Sequence, residues 1–540
     1  MNFAIEQKKI EEALKKASKE IEPNMPELSI YFAPIKSLHF TTDVMYDYTP
    51  KSNKFTSYVL ISVALSIMIM ASINYMNFSM ALIPKRMKNI NLRKILGATS
   101  ASIRWESIFK SAIISVLSFF IGIIIVLFLS KTFIVSFLSV EINILDNMGL
   151  ILITFILSLF IGIISELYPS FYQTSCKPVL VLKENSAAHA IQLRKILVGI
   201  QFLATFTLIM SAWFMYLQNK FMQNANLGYD KDSIVLVDTN DPIRQHKDYF
   251  TNQLKSESGI EDVAFASILL STGEYYNGWN SQYKGESIMF QWIPVSSSFI
   301  KTMNIPILEG RGFTEADNGT PWSKYIFNEK AKKEFHLELN ALIDSVEIVG
   351  FIPDIQYTTF HTVSGPMAFY VPGKTKHNAD TYAYIKIKKG SNMKASFEHI
   401  KSVLANFESD WPFNVRFYDN LFDQTYKKEK NLISLVSIFS LIAILISIIG
   451  ILGLVFFEVE YREKEISIRK VIGAKIADIL YLINKSFMRT VCVSYILSCP
   501  IAYYFVSKWL SNFSNHTSLH WRVFLISGLA VMIITLCAIG

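Results

Sequence analysis

Long apolar segments are the feature that most restricts what this chain can fold into. A bilayer core of about 30 Å is crossed by a helix of roughly 20 apolar residues. Lipid offers no hydrogen-bond partners to an open backbone, so such segments are expected to form a bundle of transmembrane α-helices. The sequence contains seven of them, at about residues 55–82, 108–135, 148–168, 193–217, 431–457, 482–508 and 522–540. The 540-residue chain is therefore predicted to be a membrane protein.

The placement of charge predicts the orientation of these seven spans. The formal net charge is +8, but the bases are concentrated in short loops beside the spans, which argues against binding to nucleic acid. Because short basic loops stay in the cytoplasm, the loops at residues 83–107, 169–192 and 458–481 are predicted to be internal. Alternate counting then places four segments outside, namely residues 1–54, 136–147, 218–430 and 509–521.

A short basic segment occurs twice, each time directly after a predicted span. Shifting the sequence by 376 residues aligns Arg86–Ala98 with Arg462–Ala474, with seven identities in thirteen positions. The identical residues are Arg86, Lys88, Ile90, Arg93, Lys94, Gly97 and Ala98 in the first copy and Arg462, Lys464, Ile466, Arg469, Lys470, Gly473 and Ala474 in the second. We conclude that the chain contains two copies of one structural plan.

The repeated segment is predicted to be a helix that ends at a glycine, because glycine adopts the left-handed cap conformation without strain. One apolar stripe, formed by Leu92, Ile95 and Leu96 or by Ile468, Val471 and Ile472, is expected to pack on the protein's own span ends. The opposite face would present Ile90 or Ile466 among arginines and lysines, as a docking face for a partner.

Glu465 lies four residues before Arg469 and three after Arg462, and it is expected to pair with both; the first copy has Asn89 at this position. The positive-inside rule alone is the alternative explanation of the two basic segments. It would fix the number of bases but not their register.

These residues resemble the FtsX-like permeases of ABC transporters, of the MacB type. The family's motif, R-x-K-E-I-G-I-R-K-x-x-G-A, is matched from Arg462 to Ala474 with Ser467 at the first glycine, whereas the first copy has Asn89 and Asn91 at the family's Glu and Gly. The segments at residues 299–313, 325–335 and 346–357 resemble the family's core domain. The resemblance implies that both basic segments are coupling helices for a separate ABC ATPase subunit, in a bacterial inner (plasma) membrane.

The resemblance also predicts the division of the chain. In double-repeat members, each half is one span, a core domain and three further spans. The predicted parts are a remnant of a first core domain (1–50), a first transmembrane domain (51–172), a cytoplasmic linker (173–192), a span and stalk (193–217), an extracytoplasmic MacB-like core domain (218–430) and a second transmembrane domain (431–540). We expect a chain that is short at both ends, and a natural seven-span protein is the alternative.

The large block at residues 218–430 is predicted to be an α+β domain, because short β-rich runs alternate with polar helical stretches. It contains no cysteine, so it must fold without disulfides.

Arg311, between two glycines, is expected to be paired within a structural turn. A group of aromatics is expected either to form a contact surface or to pack in the core: Tyr275, Tyr276, Trp279, Tyr283 and Trp292.

Motifs for catalysis are missing from the sequence. It lacks the phosphate-binding pattern G-x-x-x-x-G-K-[ST], and His336, His361 and His377 share no metal-ligand spacing. We therefore expect that this chain is not an enzyme and holds no cofactor, and that the partner uses ATP.

Among the polar residues in spans, Glu166 and Arg489 are expected to snorkel to the interface, and Asn74 and Asn77 to hydrogen-bond between helices.

The resemblance thus implies a permease that converts ATP hydrolysis by a partner into movement of the outer domain, and in this family such movement generally serves export or extraction of a substrate such as a peptide, drug or lipoprotein. A periplasmic adaptor, an outer-membrane channel and membrane lipid are further expected partners. The alternatives are a signalling or scaffold protein that controls an envelope hydrolase or sensor kinase, and an inactive permease fragment.

Overall fold

The computed structural model describes residues 9–16, 40, 54–131, 145–175, 185–272, 277–318, 323–373, 380–407 and 413–539. The sequence pattern of the N-terminal segment predicts a helix at residues 5–21 and a strand at Leu28–Phe32. Residues 9–16 are helical, whereas the strand lies outside the described residues. The further helices are α1 (Lys54–Ala81), α2 (Ile83–Ile95), α3 (Ser100–Leu129), α4 (Met148–Ser175), α5 (Asn185–Asn224), α6 (Asp241–Gln245), α7 (Lys247–Lys255), α8 (Phe299–Thr302), α9 (Glu315–Asn318), α10 (Glu329–Phe335), α11 (Met393–Phe407), α12 (Tyr418–Thr425), α13 (Lys427–Tyr461), α14 (Glu463–Val471), α15 (Ile476–Leu510) and α16 (Trp521–Ile539).

Within the described residues, six helices are long and apolar enough to cross a membrane, not the seven that we predicted. They contain Thr56–Ala81, Ser100–Leu129, Met148–Ser175, Arg194–Asn224, Lys427–Phe456 and Phe487–Leu510. The seventh prediction, 522–540, corresponds to α16, whose apolar part Trp521–Cys537 is shorter. The predicted helix exists, but its apolar part is shorter than the roughly 20 residues that usually cross a bilayer core and lies at the lower end of the range that can do so.

Small residues allow α3 and α4 to approach each other closely. Ser111 donates a hydrogen bond to the Gly162 carbonyl at 2.7 Å, and a Cβ added at Gly162 would lie 2.1 Å from Ser115 Oγ. Larger side chains instead join α5, α13, α15 and α16, in a cluster that includes Phe202, Phe206, Leu454, Phe487 and Val531. The membrane helices therefore pack both through small residues and through interlocking apolar side chains.

The segment 218–430, which we call the inserted domain, runs from the last turns of α5 to the first turn of α13 and has the predicted α+β architecture. Its strands are β1 (Ile234–Asp238), β2 (Ile260–Ala266), β3 (Asn277–Tyr283), β4 (Glu286–Pro294), β5 (Glu309–Gly310), β6 (Lys324–Asn328), β7 (Leu342–Ile343), β8 (Val346–Ile352), β9 (Met367–Val371), β10 (Tyr382–Ile387) and β11 (Val415–Phe417). One sheet has the order β11-β1-β10-β2 and is antiparallel. The other has the order β3-β4-β9-β6-β8-β5, with β7 paired to β8.

Each sheet of the inserted domain has its own core. Helices α7 and α11 cover the four-stranded sheet and bury Phe250, Leu254 and Ile400 against it. Tyr283 is buried in the core of the second sheet, and Trp292 packs against that core. These two aromatics therefore follow the core-packing alternative; Tyr275 and Tyr276 lie outside the described residues.

The turn around Arg311 is built from an ion pair and a tightly enclosed glycine. Arg311 binds both carboxylate oxygens of the buried Asp317, at 2.7 and 2.9 Å, which confirms the predicted pairing. Gly310 has a φ of 77°, and a Cβ there would lie 2.4 Å from the Val349 carbonyl oxygen. Gly312, by contrast, has no neighbour closer than 4.0 Å to an added Cβ. Gly310 is therefore constrained by its backbone conformation and by its neighbours, whereas Gly312 has space for a Cβ atom.

We predict that Gly310→Ala destabilises the inserted domain, because alanine would have to adopt a left-handed backbone against a fixed carbonyl. The expected loss is about 2 kcal/mol or more of unfolding free energy. Gly312→Ala is the matched control and should change this free energy by no more than about 0.5 kcal/mol. Thermal unfolding of the full chain in detergent measures both variants, and equal midpoints would contradict this account of the turn.

Candidate functional site

The two short helices α2 and α14 occupy the repeated segment, directly after the long helices α1 and α13. Only Leu82 separates α1 from α2, and only Arg462 separates α13 from α14. Pro84 lies in the first turn of α2, where its missing N–H and fixed φ are suited to helix initiation. The repeat in the sequence is therefore a repeat of helical structure.

Both helices end in the same glycine cap. At the end of α2, the Ala98 N–H donates to the Arg93 carbonyl at 2.9 Å and the Gly97 N–H donates to the Lys94 carbonyl at 3.0 Å. The same two bonds recur around Gly473 at 3.0 and 3.2 Å. The glycine φ values are 96° and 95°. This Schellman geometry confirms the predicted glycine caps and explains the Gly-Ala pair at the same offset in both copies.

The faces of α2 are the reverse of those we predicted. Ile83, Met87 and Ile90 are buried, each at most 7% exposed, whereas Leu92, Ile95 and Leu96 are 57%, 76% and 79% exposed. Ile83 and Met87 pack with Met80 and beside Tyr172 of α4. The prediction that the Leu92 stripe packs on the span ends, with Ile90 on a docking face, is therefore wrong. Residues Ile83, Met87 and Ile90 form a second apolar stripe, and that stripe meets α4.

The second copy exposes the same three positions. Ile468, Val471 and Ile472 are 60%, 88% and 79% exposed, and Ile476 at the start of α15 is 70% exposed. Ile466, which aligns with Ile90, is half-buried. We call Leu92, Ile95 and Leu96 the first triad, and Ile468, Val471 and Ile472 the second triad. Their members correspond one to one at the 376-residue offset, so each copy presents one apolar triad to its surroundings.

Ion pairs orient the arginines beside each triad. Glu465 lies 2.6 Å from Arg469 and 3.6 Å from Arg462, as the sequence predicted, and Arg462 also binds Glu458 at 2.8 Å. In the first copy, where Asn89 replaces this glutamate, Arg93 pairs instead with Glu106 of α3 at 2.7 Å. In both copies a carboxylate pairs with the equivalent arginine. It comes from α3 in the first copy and from α14 itself in the second.

The remaining predicted site residues take several positions. Lys94 donates to the Thr174 carbonyl of α4 at 2.6 Å, so it anchors α2 internally, whereas Arg86 and Lys470 are exposed. Nothing is described for the side chains of Lys88 and Lys464. The basic residues of α2 are therefore divided between internal anchoring and surface exposure.

Buried polar side chains connect the helices behind these sites. Glu166 is 2% exposed and accepts a hydrogen bond from Ser79 at 2.7 Å, so the prediction that it snorkels is wrong. The reason is that α1 supplies a polar partner inside the bundle. Arg194 is 4% exposed and donates to the Met80 carbonyl at 2.7 Å; its position beside an apolar run gave no signal of this contact.

Amides link the two copies. Asn74 of α1 donates to the Ile446 carbonyl of α13 at 2.6 Å, which confirms the predicted interhelical bond. Gly450 provides space beside it, since a Cβ there would lie 2.3 Å from Asn74 Oδ1. Asn77 and Gln201 are also buried, but within the described ranges their amide atoms have no hydrogen-bond partner. For Asn77, therefore, the structure does not provide the predicted bond.

At the opposite end of the bundle, residues 511–520 connect α15 to α16; we call them the hairpin loop. The Ser514 N–H donates to the Phe360 carbonyl of the inserted domain at 2.7 Å, and Asn515 donates to Gln356 at 3.2 Å. The Thr517 N–H donates to the buried Gln218 of α5 at 2.8 Å. The hairpin loop is thus tied both to α5 and to the inserted domain.

His361 lies at the centre of this contact. Its Nδ1 is 3.0 Å from the Asn512 carbonyl oxygen and its Nε2 is 3.0 Å from Glu429 Oε1. Both partners accept, so only the doubly protonated ring satisfies both. Burial by itself lowers the pKa of His361, but the hydrogen bonds to Glu429 and Asn512 outweigh it and raise that pKa above its ordinary value.

No part of the chain that the structure describes places three or more His, Cys, Asp or Glu side chains as a metal site. The features characterised above are helix surfaces, buried polar contacts and contacts between the hairpin loop and the inserted domain.

Comparisons with known proteins agree with this architecture. Residues 61–178 and 437–540 match the FtsX-like permease C-terminal family, and each match contains one of the two triads. Comparison with curated proteins gives no match.

Two solved structures are similar to part of the chain. The periplasmic region of MacB from Actinobacillus actinomycetemcomitans is 13% identical, with 38% of this chain and 97% of that chain covered and a TM-score of 0.28. The extracellular domain of the ABC-type transporter YknZ from Gram-positive bacteria is 12% identical, with 34% and 99% covered and a TM-score of 0.26. Two separate ranges of the chain, residues 61–178 and 437–540, are thus similar to the C-terminal part of FtsX-like permeases.

Proposed function

We propose that the first and second triads are the docking sites for a separate ATPase, and that ATP-driven movement passes from them to the inserted domain. The observation that carries this proposal is the paired exposure of three apolar side chains at equivalent positions of both copies. Burying a valine, leucine or isoleucine side chain stabilises a complex by about 1.5–3 kcal/mol. Three such side chains surrounded by arginines form a compact binding centre with a polar rim.

The cap geometry supports docking over a simple lipid-facing role. A helix that only rests on lipid needs an apolar stripe, and it needs no fixed end. Here the glycine caps fix where each helix stops, and the carboxylates Glu106 and Glu465 hold Arg93 and Arg469 beside the triads. Side chains whose positions are fixed before binding lose less entropy when a partner docks.

Long helices offer a route from the second triad to the inserted domain. Helix α14 follows α13 directly through Arg462, which pairs with Glu458 of α13, and α13 runs without interruption from Lys427 to Tyr461. It packs along α5, and these two helices enter and leave the inserted domain. A displacement of α14 would therefore move the stalks of that domain, in the same way that rigid packed elements shift in other switching proteins.

The hairpin loop is a second connection between the membrane helices and the inserted domain. Its contacts to Phe360, His361 and Gln356 tie α15 and α16 to the same domain that α5 and α13 hold. We therefore propose that α15 also transmits movement, which the sequence did not predict.

The movement would serve export or extraction of a peptide, drug or lipoprotein from the side of the membrane that holds the inserted domain. The basic residues near the triads place that end in the cytoplasm by the positive-inside rule, which makes the inserted domain extracytoplasmic. The substrate class, the direction of transport and the adaptor and channel partners are proposed from the family resemblance alone.

We predict that the double variant Ile468→Asp, Val471→Asp loses its ATPase, because two carboxylates would be buried in an apolar contact. Capture of the tagged full chain from native membranes should recover at least about ten-fold less ATP-hydrolysing activity. The equivalent Leu92→Asp, Ile95→Asp variant tests the first triad in the same way.

Ser467→Asp is the matched control, since Ser467 is exposed on α14 but lies outside the second triad. It should retain the ATPase. If the triad variants retain the ATPase as well, the triads do not dock it. If Ser467→Asp loses as much activity as they do, charge near the helix and not apolar docking explains the binding.

We predict that the hairpin loop separates more easily from the inserted domain as pH rises through the raised pKa of His361. The charged ring stabilises the contact fully below the ordinary histidine pKa of about 6.5, and this stability is lost as the pH passes above the folded-state pKa. The partly exposed pair should contribute about 1 kcal/mol, so amide exchange at residues 512–515 should rise about five-fold beyond the intrinsic pH effect.

In His361→Gln, this additional pH dependence should disappear. His516→Gln should keep it, because His516 is exposed in the same loop and its ring lies at hydrogen-bond distance from the Thr517 carbonyl. An unchanged pH dependence in His361→Gln would show that another group controls the contact.

A further inference from the structure

An open cavity of about 390 Å³ lies at the end of α5 nearest the inserted domain. It is lined by residues around the end of α5 and by two residues of the hairpin loop. The function proposed above uses none of these residues as a ligand site. A volume of this size is in the range of pockets that hold small organic ligands.

The cavity is held in shape by contacts behind its wall. Gln218 is fully buried; it receives the Thr517 N–H at 2.8 Å and donates to the Asn515 carbonyl at 3.2 Å. These bonds fix the hairpin loop against α5. The Asn226 side-chain oxygen accepts from the Gly228 N–H at 2.9 Å, which holds the end of the wall.

The lining combines an apolar part with a polar part that carries donors. Leu217, Phe221 and Ala225 supply the apolar part, and Lys220, His520 and two asparagines supply N–H donors. No carboxylate is among the lining residues. Among the described residues, no carboxylate forms an ion pair with Lys220, so its ammonium charge is available to a ligand. This combination fits an anionic group attached to an apolar chain.

The position of the cavity identifies the source of such a ligand. The apolar part of α16 begins at Trp521, directly after His520, and Trp521 and Tyr216 are 68% and 54% exposed. Exposed Trp and Tyr side chains are typical of the level of lipid headgroups. Arg522, beside Trp521, is also exposed. These exposed side chains indicate that the cavity opens at the headgroup level of a membrane leaflet.

We propose that this cavity binds the phosphate headgroup of an anionic glycerophospholipid, with Lys220 as its charge partner. The first carbons of the acyl chains would contact Leu217 and Phe221, and His520 and the asparagines would donate to the phosphate. A lipid held here would contact both α5 and the hairpin loop. The site is independent of ATPase docking, so each proposal can fail without the other.

The test is a titration of the purified full chain in detergent with phosphatidylglycerol, followed by native mass spectrometry. Lys220→Gln should bind phosphatidylglycerol about five-fold more weakly, which is the effect of one basic residue near an anionic lipid surface. Phosphatidylcholine should bind wild type more weakly than phosphatidylglycerol does, because its choline offsets the phosphate charge. Lys220 is exposed, so an unchanged thermal midpoint is expected and separates lost binding from lost folding.

Lys301→Gln is the control, because Lys301 is exposed on α8 of the inserted domain, away from the cavity lining. It should bind the lipid as wild type does. Unchanged binding in Lys220→Gln, or an equal loss in Lys301→Gln, would overturn the proposal. Displacement of the lipid by inorganic phosphate at similar concentrations would also overturn it, since a free anion would then be the ligand.

Discussion

The packing of α2 against α4 determines which face of α2 the first copy exposes. Ile83 and Met87 are buried beside Tyr172 of α4, and Lys94 is fixed on the Thr174 carbonyl. Once this face is buried, helical geometry places Leu92, Ile95 and Leu96 on the opposite side. The glycine cap then ends the helix and directs the chain into α3. The exposed triad is thus a consequence of internal packing and of the cap together.

The two copies achieve the same surface with different internal support. The first is anchored to neighbouring helices by Lys94 and by the Arg93–Glu106 pair. The second relies on pairs close in sequence, Glu458–Arg462 and Glu465–Arg469, and its Ile466 is only half-buried. We expect α14 to be held mainly to α13, the helix that leads to the inserted domain. Movement of the second triad would therefore reach that domain by the more direct route.

The sequence was sufficient to predict features that depend on residues close together in the chain. Glycine at the end of a basic helix predicted both caps, and the spacing of Glu465 predicted its two arginine partners. The apolar lengths predicted the spans, except that the apolar part of α16 is shorter than in the other six helices. The family resemblance likewise agreed with the matches at residues 61–178 and 437–540.

Contacts between residues that lie far apart in the sequence could not be predicted from local sequence patterns. Helix α2 has two apolar stripes, and periodicity alone does not show which one meets α4. Glu166 and Arg194 are buried because Ser79 and the Met80 carbonyl of α1 provide partners far away in the sequence. The contact of His361 with Glu429 and Asn512 joins three distant segments for the same reason.

The central claim is that the exposed triads, and not the Ile90 and Ile466 positions, contact the ATPase. Photo-crosslinking from single residues tests it most directly: a photoreactive amino acid is placed in turn at Ile95, Val471 and Ser467 of the full chain in native membranes. The account predicts crosslinks to one ATP-binding protein from Ile95 and Val471 and none from Ser467. Crosslinks from Ile95 and Val471 to lipid alone, or equal crosslinking from Ser467, would contradict it.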